Sequence, residues 1–137
     1  MATGNPFNAF IEYVNEKAID WDNDTFVIAL TNVAPVATNS VLADITEIAY
    51  TNLSSRTLTI AAAGQSSGTY TATANQLTLT ASGNVATFRY VVAYDDTATN
   101  DPLVGWWDYG SAVTMANGDT FVIGATNPWT IWTDAPA

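Results

Sequence analysis

The chain has no histidine and no cysteine, and these two absences exclude several kinds of chemistry. Without histidine it lacks the commonest general base and the commonest neutral metal ligand. Without cysteine it has no disulfide, no thiolate zinc site and no thiol nucleophile. We therefore predict no metal site, no cofactor and no catalysis by a histidine- or cysteine-dependent triad.

Positive charge is almost as scarce. The chain has 13 Asp and Glu residues but only three cationic ones, Lys17, Arg56 and Arg89, which gives a formal net charge of −10. Proteins that bind nucleic acids or anionic membranes use Lys and Arg against phosphate groups, so neither partner is predicted. No apolar run reaches the ~20 residues of a transmembrane helix. The N-terminal sequence MATGNPFNAF lacks the basic and apolar regions of a signal peptide, which predicts synthesis and folding in a cytoplasm.

The residues that are present favour a single mainly β domain. The chain has 137 residues, 48% of them hydrophobic, which suffices for one core. Short apolar segments recur between clusters of Gly, Asn and Ser, a spacing typical of β-sandwiches. We predict one domain over residues 1–137, with an antiparallel, jelly-roll-like β-sandwich over residues 21–137. An amphipathic helix within residues 1–20 packs on the outside of it.

That helix is predicted over residues 7–19. Asn5 can cap it, and Pro6 suits the first helical position because the missing N–H has no partner there anyway. Apolar side chains then recur at helical spacing, at Phe7, Phe10, Ile11, Val14 and Ala18.

The acidic segment after the helix, residues 20–24, resembles the start of a calcium-binding loop. Asp20, Asp22 and Asp24 alternate as the first ligands of such a loop do. Thr25 and Thr31 then stand where the loop needs its glycine and its bidentate glutamate. A polar turn between helix and strand is the favoured interpretation.

Three further segments predict particular strands and turns. Residues 25–31 are apolar on both faces and predict a central strand. Asn117 and Gly118 form the strongest hairpin signal in the chain. Residues 129–132 predict a last strand with Trp129 and Trp132 on one face.

Residues 88–110 carry the densest aromatic content. Phe88, Tyr90, Val92 and Tyr94 alternate, which predicts a strand with these side chains on one face. Trp106 and Trp107 are adjacent, so one of them must point away from the core if the segment is extended. Tryptophan is a typical anchor of protein interfaces. The candidate interface residues are Trp106, Trp107, Tyr109, Trp129 and Trp132.

Carboxylates beside these tryptophans leave one enzymatic alternative. Glycosidases need two carboxylates that flank a cleft, and Asp95, Asp96, Asp101 and Asp108 lie near Trp106 and Trp107 in sequence. Aspartates in turns more often accept local backbone hydrogen bonds. We therefore predict that the chain is not an enzyme, and keep sugar binding without catalysis as an alternative.

Two longer segments resemble a known family. Residues 26–49, FVIALTNVAPVATNSVLADITEIA, are similar to a motif of small virion proteins of tailed bacteriophages, ALTN-x-AP followed by VLADITEIA. Residues 88–123 resemble the later half of that family, in which a strand leads through a loop to GWWDYG. The N-terminal FNAFIEYVNEKA resembles its first helix. At residues 50–56 this chain is shorter than the family, which tends to have a longer Gly-rich segment there.

The resemblance implies a non-enzymatic structural component of a phage particle. Of the possible locations we favour the capsid exterior, where a decoration or cement protein binds the lattice of the major capsid protein and resists internal pressure. Such proteins are commonly homotrimers. The alternative is a component of the tail or of a fibre, in contact with host glycans.

Overall fold

The computed structural model describes residues 4–134. The fold is mainly β, as predicted, and all strand pairings between described residues are antiparallel. One short α-helix, α1 (Phe10–Asn15), and one 3-10 turn (Leu42–Asp44) accompany the strands. The strands are β1 (Asn5–Pro6), β2 (Phe26–Thr31), β3 (Ile60–Ser66), β4 (Thr69–Ala74), β5 (Leu77–Thr80), β6 (Val85–Asp95), β7 (Leu103–Met115), β8 (Thr120–Ile123) and β9 (Trp129–Asp134).

The strands form three sheets in a sandwich-like arrangement. The main sheet has the order β1-β7-β6-β2, the second has the order β3-β4-β9, and β5 pairs with β8. The larger hydrophobic cluster lies on one side of the main sheet and includes side chains from all three sheets, such as Phe88, Ala72 and Leu79. A smaller cluster on the other side joins Val92 and Leu103 to the segment after the 3-10 turn. The main sheet is therefore buried on both faces along β2, residues 91–95 of β6 and residues 103–105 of β7.

The helix is shorter than predicted. Asn5 and Pro6 do not cap it but form β1, which pairs with Trp106 and Gly105. Phe7 packs in the smaller cluster and Phe10 in the larger one, on opposite sides of the main sheet. The two side chains therefore cannot share one helical stripe, and the helix begins only after the chain has crossed the sheet edge.

The predicted central strand β2 is buried along its whole length, but it is the last strand of its sheet. Phe26, Ile28 and Leu30 face the larger cluster, while Val27 and Ala29 face the smaller one. Its outer edge is closed by an irregular segment instead of a strand. Four hydrogen bonds do this: Ile28 N–H to Arg56 O (2.9 Å), Leu58 N–H to Phe26 O (2.8 Å), Ile48 N–H to Leu30 O (3.0 Å) and Leu30 N–H to the Tyr50 hydroxyl (3.0 Å).

The turn predicted at Asn117 and Gly118 is present, but the strands beside it do not form a hairpin. β8 pairs with β5 rather than with the preceding β7. The turn is held by hydrogen bonds to Ala81, which directly follows β5. Gly118 N–H donates to Ala81 O (2.8 Å), and Ala81 N–H donates to Asp119 O (3.0 Å). The local turn signal was correct, and the inferred pairing was wrong because it depends on a distant strand.

Register shifts change the faces of two strands. The pairing of β6 with β7 shifts on both sides of Phe88, so Phe88 joins Val91 in the larger cluster while Val92 joins the smaller one. The prediction that Phe88 and Val92 share a face was therefore wrong. A similar shift in the pairing of β4 with β9 lets Trp129 and Trp132 both pack against the larger cluster. Each bulge adds a residue that reverses the alternation of side chains.

Candidate interaction surface

Two of the five candidate aromatic residues lie in the core. Trp107 and Trp129 are 4% and 3% exposed, and their rings meet edge to face at 5.4 Å between centroids. The Trp129 indole N–H also donates to Asn75 O at 3.3 Å, which fixes its ring. A partner could contact little of either side chain, so their large apolar area serves the fold.

Trp106 is half-buried and points to the opposite side of the main sheet from Trp107, as the adjacency of the two residues predicts. Its ring lies 4.7 Å from the Phe7 ring. The β1 strand covers it further, because Asn5 pairs with Trp106 and the Asn5 side-chain amide donates to Trp106 O at 3.3 Å. Part of the indole remains open to solvent.

Tyr109 is also half-buried, and its ring packs edge to face on Phe121 at 4.9 Å. Its hydroxyl is buried and has no hydrogen-bond partner among the described residues. Burial raises the pKa of this hydroxyl to about 12. A buried hydroxyl without a partner reduces stability, because it loses its water and gains nothing in return.

Trp132 is the candidate that borders an open groove. The groove has a volume of about 510 Å³, and Trp21, Tyr70 and Trp132 supply its aromatic walls. Three carboxylates, those of Asp20, Asp22 and Asp134, also line it. We call this site the aromatic groove. Trp132 packs against Phe10 at 4.5 Å, so the helix holds one wall of the groove in place.

Asp95, one of the acidic residues near Trp106 and Trp107 in sequence, is closed off from solvent. Asp95 is fully buried at the end of β6, and its Oδ1 accepts hydrogen bonds from Thr97 N–H (2.9 Å) and Ala98 N–H (3.1 Å). Its Oδ2 has no donor among the described residues. Burial, together with a hydrogen bond that the protonated acid shares with Asp24, raises the pKa of Asp95 to about 7.

The Asp108 carboxylate forms a salt bridge with Arg89 on the neighbouring strand, β6. The two side chains form a bidentate pair, with Arg89 Nε 2.8 Å from Oδ1 and Nη2 3.1 Å from Oδ2. Gly110 N–H also donates to Oδ1 at 2.7 Å. These hydrogen bonds, with that of Arg89 first, hold the pKa of Asp108 below its usual value. The sequence contained a signal for this pair, because Arg89 and Asp108 stand at nearly equal distances from the loop between β6 and β7.

Arg56 is the second cation that the fold itself uses. Its guanidinium lies 3.5 Å from the centre of the Tyr50 ring and donates to Ile28 O. The Tyr50 hydroxyl donates to Glu47 Oε1 at 2.7 Å, and burial is the main cause that raises its pKa. The short segment 50–56 thus closes the edge of β2. The resemblance marks residues 50–56 as shorter than in the phage family, but nothing in the sequence predicts that Tyr50 and Arg56 meet there.

Exposed apolar side chains are few, and two of them lie in the loop after β2. Val33 and Val36 are 57% and 53% exposed. The loop is ordered by its own contacts, because Val36 N–H donates to Asn39 Oδ1 (2.9 Å) and Asn39 N–H donates to Val36 O (2.9 Å). We call residues 33–36 the apolar loop. It presents a small hydrophobic surface on an acidic molecule.

The described residues 4–134 contain no group of three or more metal-binding side chains, and no helix among them is long and apolar enough to cross a membrane. The fold and surface thus define the chain as a mainly β, antiparallel protein of sandwich-like build. Comparisons with protein-family models, with curated proteins and with solved structures find no match to this chain.

Proposed function

We propose that this chain is a non-enzymatic structural protein of a tailed-bacteriophage particle. On this proposal it decorates the capsid exterior by binding the lattice of the major capsid protein, and so strengthens the head. It would associate with copies of itself, and the resemblance implies a trimer.

One structural observation supports the proposal in addition to the sequence motifs. The two segments that resemble the phage family, residues 26–49 and 88–123, are neighbours in the fold. β2 pairs with β6, and Val41 forms a bridge with Pro102. Leu103 N–H also donates to Ser40 O at 3.0 Å. The motifs thus belong to one structural unit, which is what a resemblance to a whole protein requires.

The surface supports binding rather than turnover. Two of the three cations, Arg56 and Arg89, are engaged by groups of the chain itself, and the chain carries a net charge of −10. On this surface the apolar loop offers an ordered hydrophobic contact within the ALTN-x-AP motif. Apolar side chains that are exposed in the free protein are natural contacts for a partner. We propose that the apolar loop meets the capsid protein.

The test is the location and copy number of the protein in virions, with matched variants. Imaging should find on the order of hundreds of copies on the head, as a symmetric lattice requires. Val36→Asp should reduce occupancy and lower the temperature at which heads break. Val122→Asp places the same charge on another exposed valine and should change neither. A few tens of copies at the tail would contradict capsid decoration.

The aromatic groove favours a second candidate function, that of a tail or fibre component that binds glycans. Tyr70 and Trp132 provide ring faces, and the carboxylates of Asp20 and Asp22 accept hydrogen bonds from hydroxyl groups. On this alternative, Trp132→Ala lowers adsorption to the host while particles remain intact. Unchanged adsorption by Trp132→Ala particles would remove the glycan-binding alternative.

A further inference from the structure

β3 and β9 are the two outer strands of the second sheet. β3 pairs with β4 on one side, and no described strand pairs with its other side. The strand carries exposed residues over most of its length, including Ala62, Gln65 and Ser66. Its unpaired N–H and C=O groups form a template on which another strand can add.

Apart from a bulge near its start, this edge lacks the usual features that prevent pairing. Proteins protect open edges with lysine, proline, inward-pointing charges or bulges. Between Thr57 and Phe88 the sequence has no charged residue and no proline. A register shift lies between Ile60 and Ala62, so residues 62–66 remain a regular edge. The β3–β4 turn is tight as well, with Ser67 and Gly68 both at positive φ (51° and 85°), as a two-residue type I′ hairpin requires.

The distribution of charge indicates which partner suits this edge. The net charge of −10 makes two copies of this chain repel each other over most of their surfaces. β3 and β4 themselves carry no charge, so repulsion between two β3 edges comes only from charges on other elements, such as Asp134, which pairs with Tyr70 of β4. A basic partner would instead be drawn to the acidic surfaces elsewhere. The neutral open edge therefore fits a second copy of the same chain.

We infer that β3 is a self-association surface, on which the β3 strands of two copies pair antiparallel about a two-fold axis. The result is a continuous six-stranded sheet in the order β9-β4-β3-β3-β4-β9. In a two-fold antiparallel contact, residue i of one copy meets residue j of the other, and only the residue on the axis meets its own copy. We place the axis at Gly64, the middle residue of the regular edge 62–66. Gly64 of one copy thus lies opposite Gly64 of the other.

Gly64 also makes the inference testable without damage to the fold. A Cβ added at this position has no heavy atom within 4 Å. Ala63 packs partly against the larger cluster, so by alternation a side chain at position 64 stands on the other, outer face. Both Gly64→Lys and Gly64→Glu are therefore expected to fold, with melting temperatures near that of the parent chain.

The experiment is sedimentation velocity on the full chain at about 1 to 100 µM, near the range of weak protein association. The parent chain should form dimers. Each variant alone places like charges opposite each other, which should raise the dissociation constant at least about tenfold. An equal mixture of Gly64→Lys and Gly64→Glu places opposite charges together, and should associate about as well as the parent chain. Thr99→Glu, which adds the same charge in the loop between β6 and β7, should leave association unchanged.

Three results would overturn the inference. The first is a parent chain that remains monomeric throughout this range. The second is association that neither Gly64 variant weakens. The third is a mixture of the two variants that associates no better than each alone. The inference does not depend on the proposed function, and it differs from the trimer that the resemblance implies. A trimer that survives both variants would contradict the β3 contact while leaving capsid decoration standing.

Discussion

Two tyrosine hydroxyls in this protein are both removed from water but differ in their partners. The Tyr109 hydroxyl has no partner among the described residues, whereas the Tyr50 hydroxyl accepts from Leu30 N–H at 3.0 Å and donates to Glu47 at 2.7 Å. Tyr109→Phe removes only an unpaired polar group, and should raise the free energy of unfolding by about 1 kcal/mol. Tyr50→Phe leaves the N–H of the fully buried Leu30 without its acceptor, and should lower the free energy of unfolding by about 1–3 kcal/mol.

Urea denaturation of the two variants, monitored by circular dichroism, checks this pair of predictions. The substitutions remove the same atom, so the difference in sign isolates the hydrogen bonds. If Tyr109→Phe destabilises the protein as much as Tyr50→Phe does, then the Tyr109 hydroxyl has a partner, and the account given for it is wrong.

Asp95 should make stability depend on pH near neutrality. The folded-state pKa of Asp95, about 7, lies above the ordinary aspartate value of 3.8, so the folded state binds more protons than the unfolded state between those values. Its contribution is fully present below about pH 4 and is lost as the pH rises through about 7. Each pKa unit of difference corresponds to about 1.4 kcal/mol. The free energy of unfolding should therefore fall between pH 4 and pH 8.

Asp95→Asn isolates this effect. The asparagine Oδ1 can still accept from Thr97 and Ala98 N–H, and the asparagine side chain is neutral at every pH. The variant should be more stable than the parent chain at pH 8, and nearly equal to it at pH 4. Asp96→Asn, which removes the same charge at the exposed neighbouring residue and keeps Asp95, should retain the parent chain's fall in stability between pH 4 and pH 8. Equal pH profiles for the parent chain and Asp95→Asn would contradict this assignment.

At the scale of single elements, the end of α1 carries a residue that its backbone disfavours. Lys17 has a φ of 61°, in the left-handed region where glycine is usual. The hydrogen bonds of a Schellman motif surround it, from Lys17 N–H to Val14 O (3.3 Å) and from Ala18 N–H to Tyr13 O (2.8 Å). Lys17→Gly should relieve the strain and raise the free energy of unfolding by about 1 kcal/mol.

Lys17→Ala serves as the control for this prediction. It removes the same charge but keeps a Cβ, so it should not stabilise the protein. Both variants can be compared by their midpoints in urea. An equal gain for Lys17→Ala and Lys17→Gly would attribute the effect to charge rather than to the backbone.

The strands were the most predictable elements, because alternation within a strand is local. The apolar pattern of β2 predicted that both of its faces are buried, and the adjacency of Trp106 and Trp107 predicted their opposite directions. The bulges around Phe88 were not predictable, since they arise from the partner strand. The helix was overpredicted because Phe7 fits a helical stripe by spacing, although β1 carries it to the other side of the sheet.

The candidate surface was predictable only in part, because burial is a property of the whole molecule. Nothing local distinguishes Trp129 from Trp132, yet one lies in the core and the other borders the aromatic groove. The β3 edge was likewise not apparent, because a strand is an edge only by the absence of a neighbour. The stretch without charge, in contrast, is visible directly in the sequence.

The shared core predicts that the whole chain unfolds as one unit. The larger cluster takes side chains from every sheet, and Trp107 of the main sheet meets Trp129 of the second sheet. No sheet can then lose its packing without exposing the core of the others. Tryptophan fluorescence and far-ultraviolet circular dichroism should therefore report the same transition on heating, as two-state domains do.

Phe88→Ala tests how far this coupling extends. Phe88 is fully buried in β6 and its ring lies 5.2 Å from the Phe121 ring in β8, so the substitution leaves a cavity between two sheets. It should lower the free energy of unfolding by about 3–5 kcal/mol and shift both signals together. Val122→Ala, at the exposed neighbour of Phe121, should change it by less than about 0.5 kcal/mol. If the fluorescence of Phe88→Ala changes at a lower temperature than its circular dichroism, the sheets unfold separately, and the chain is not one cooperative domain.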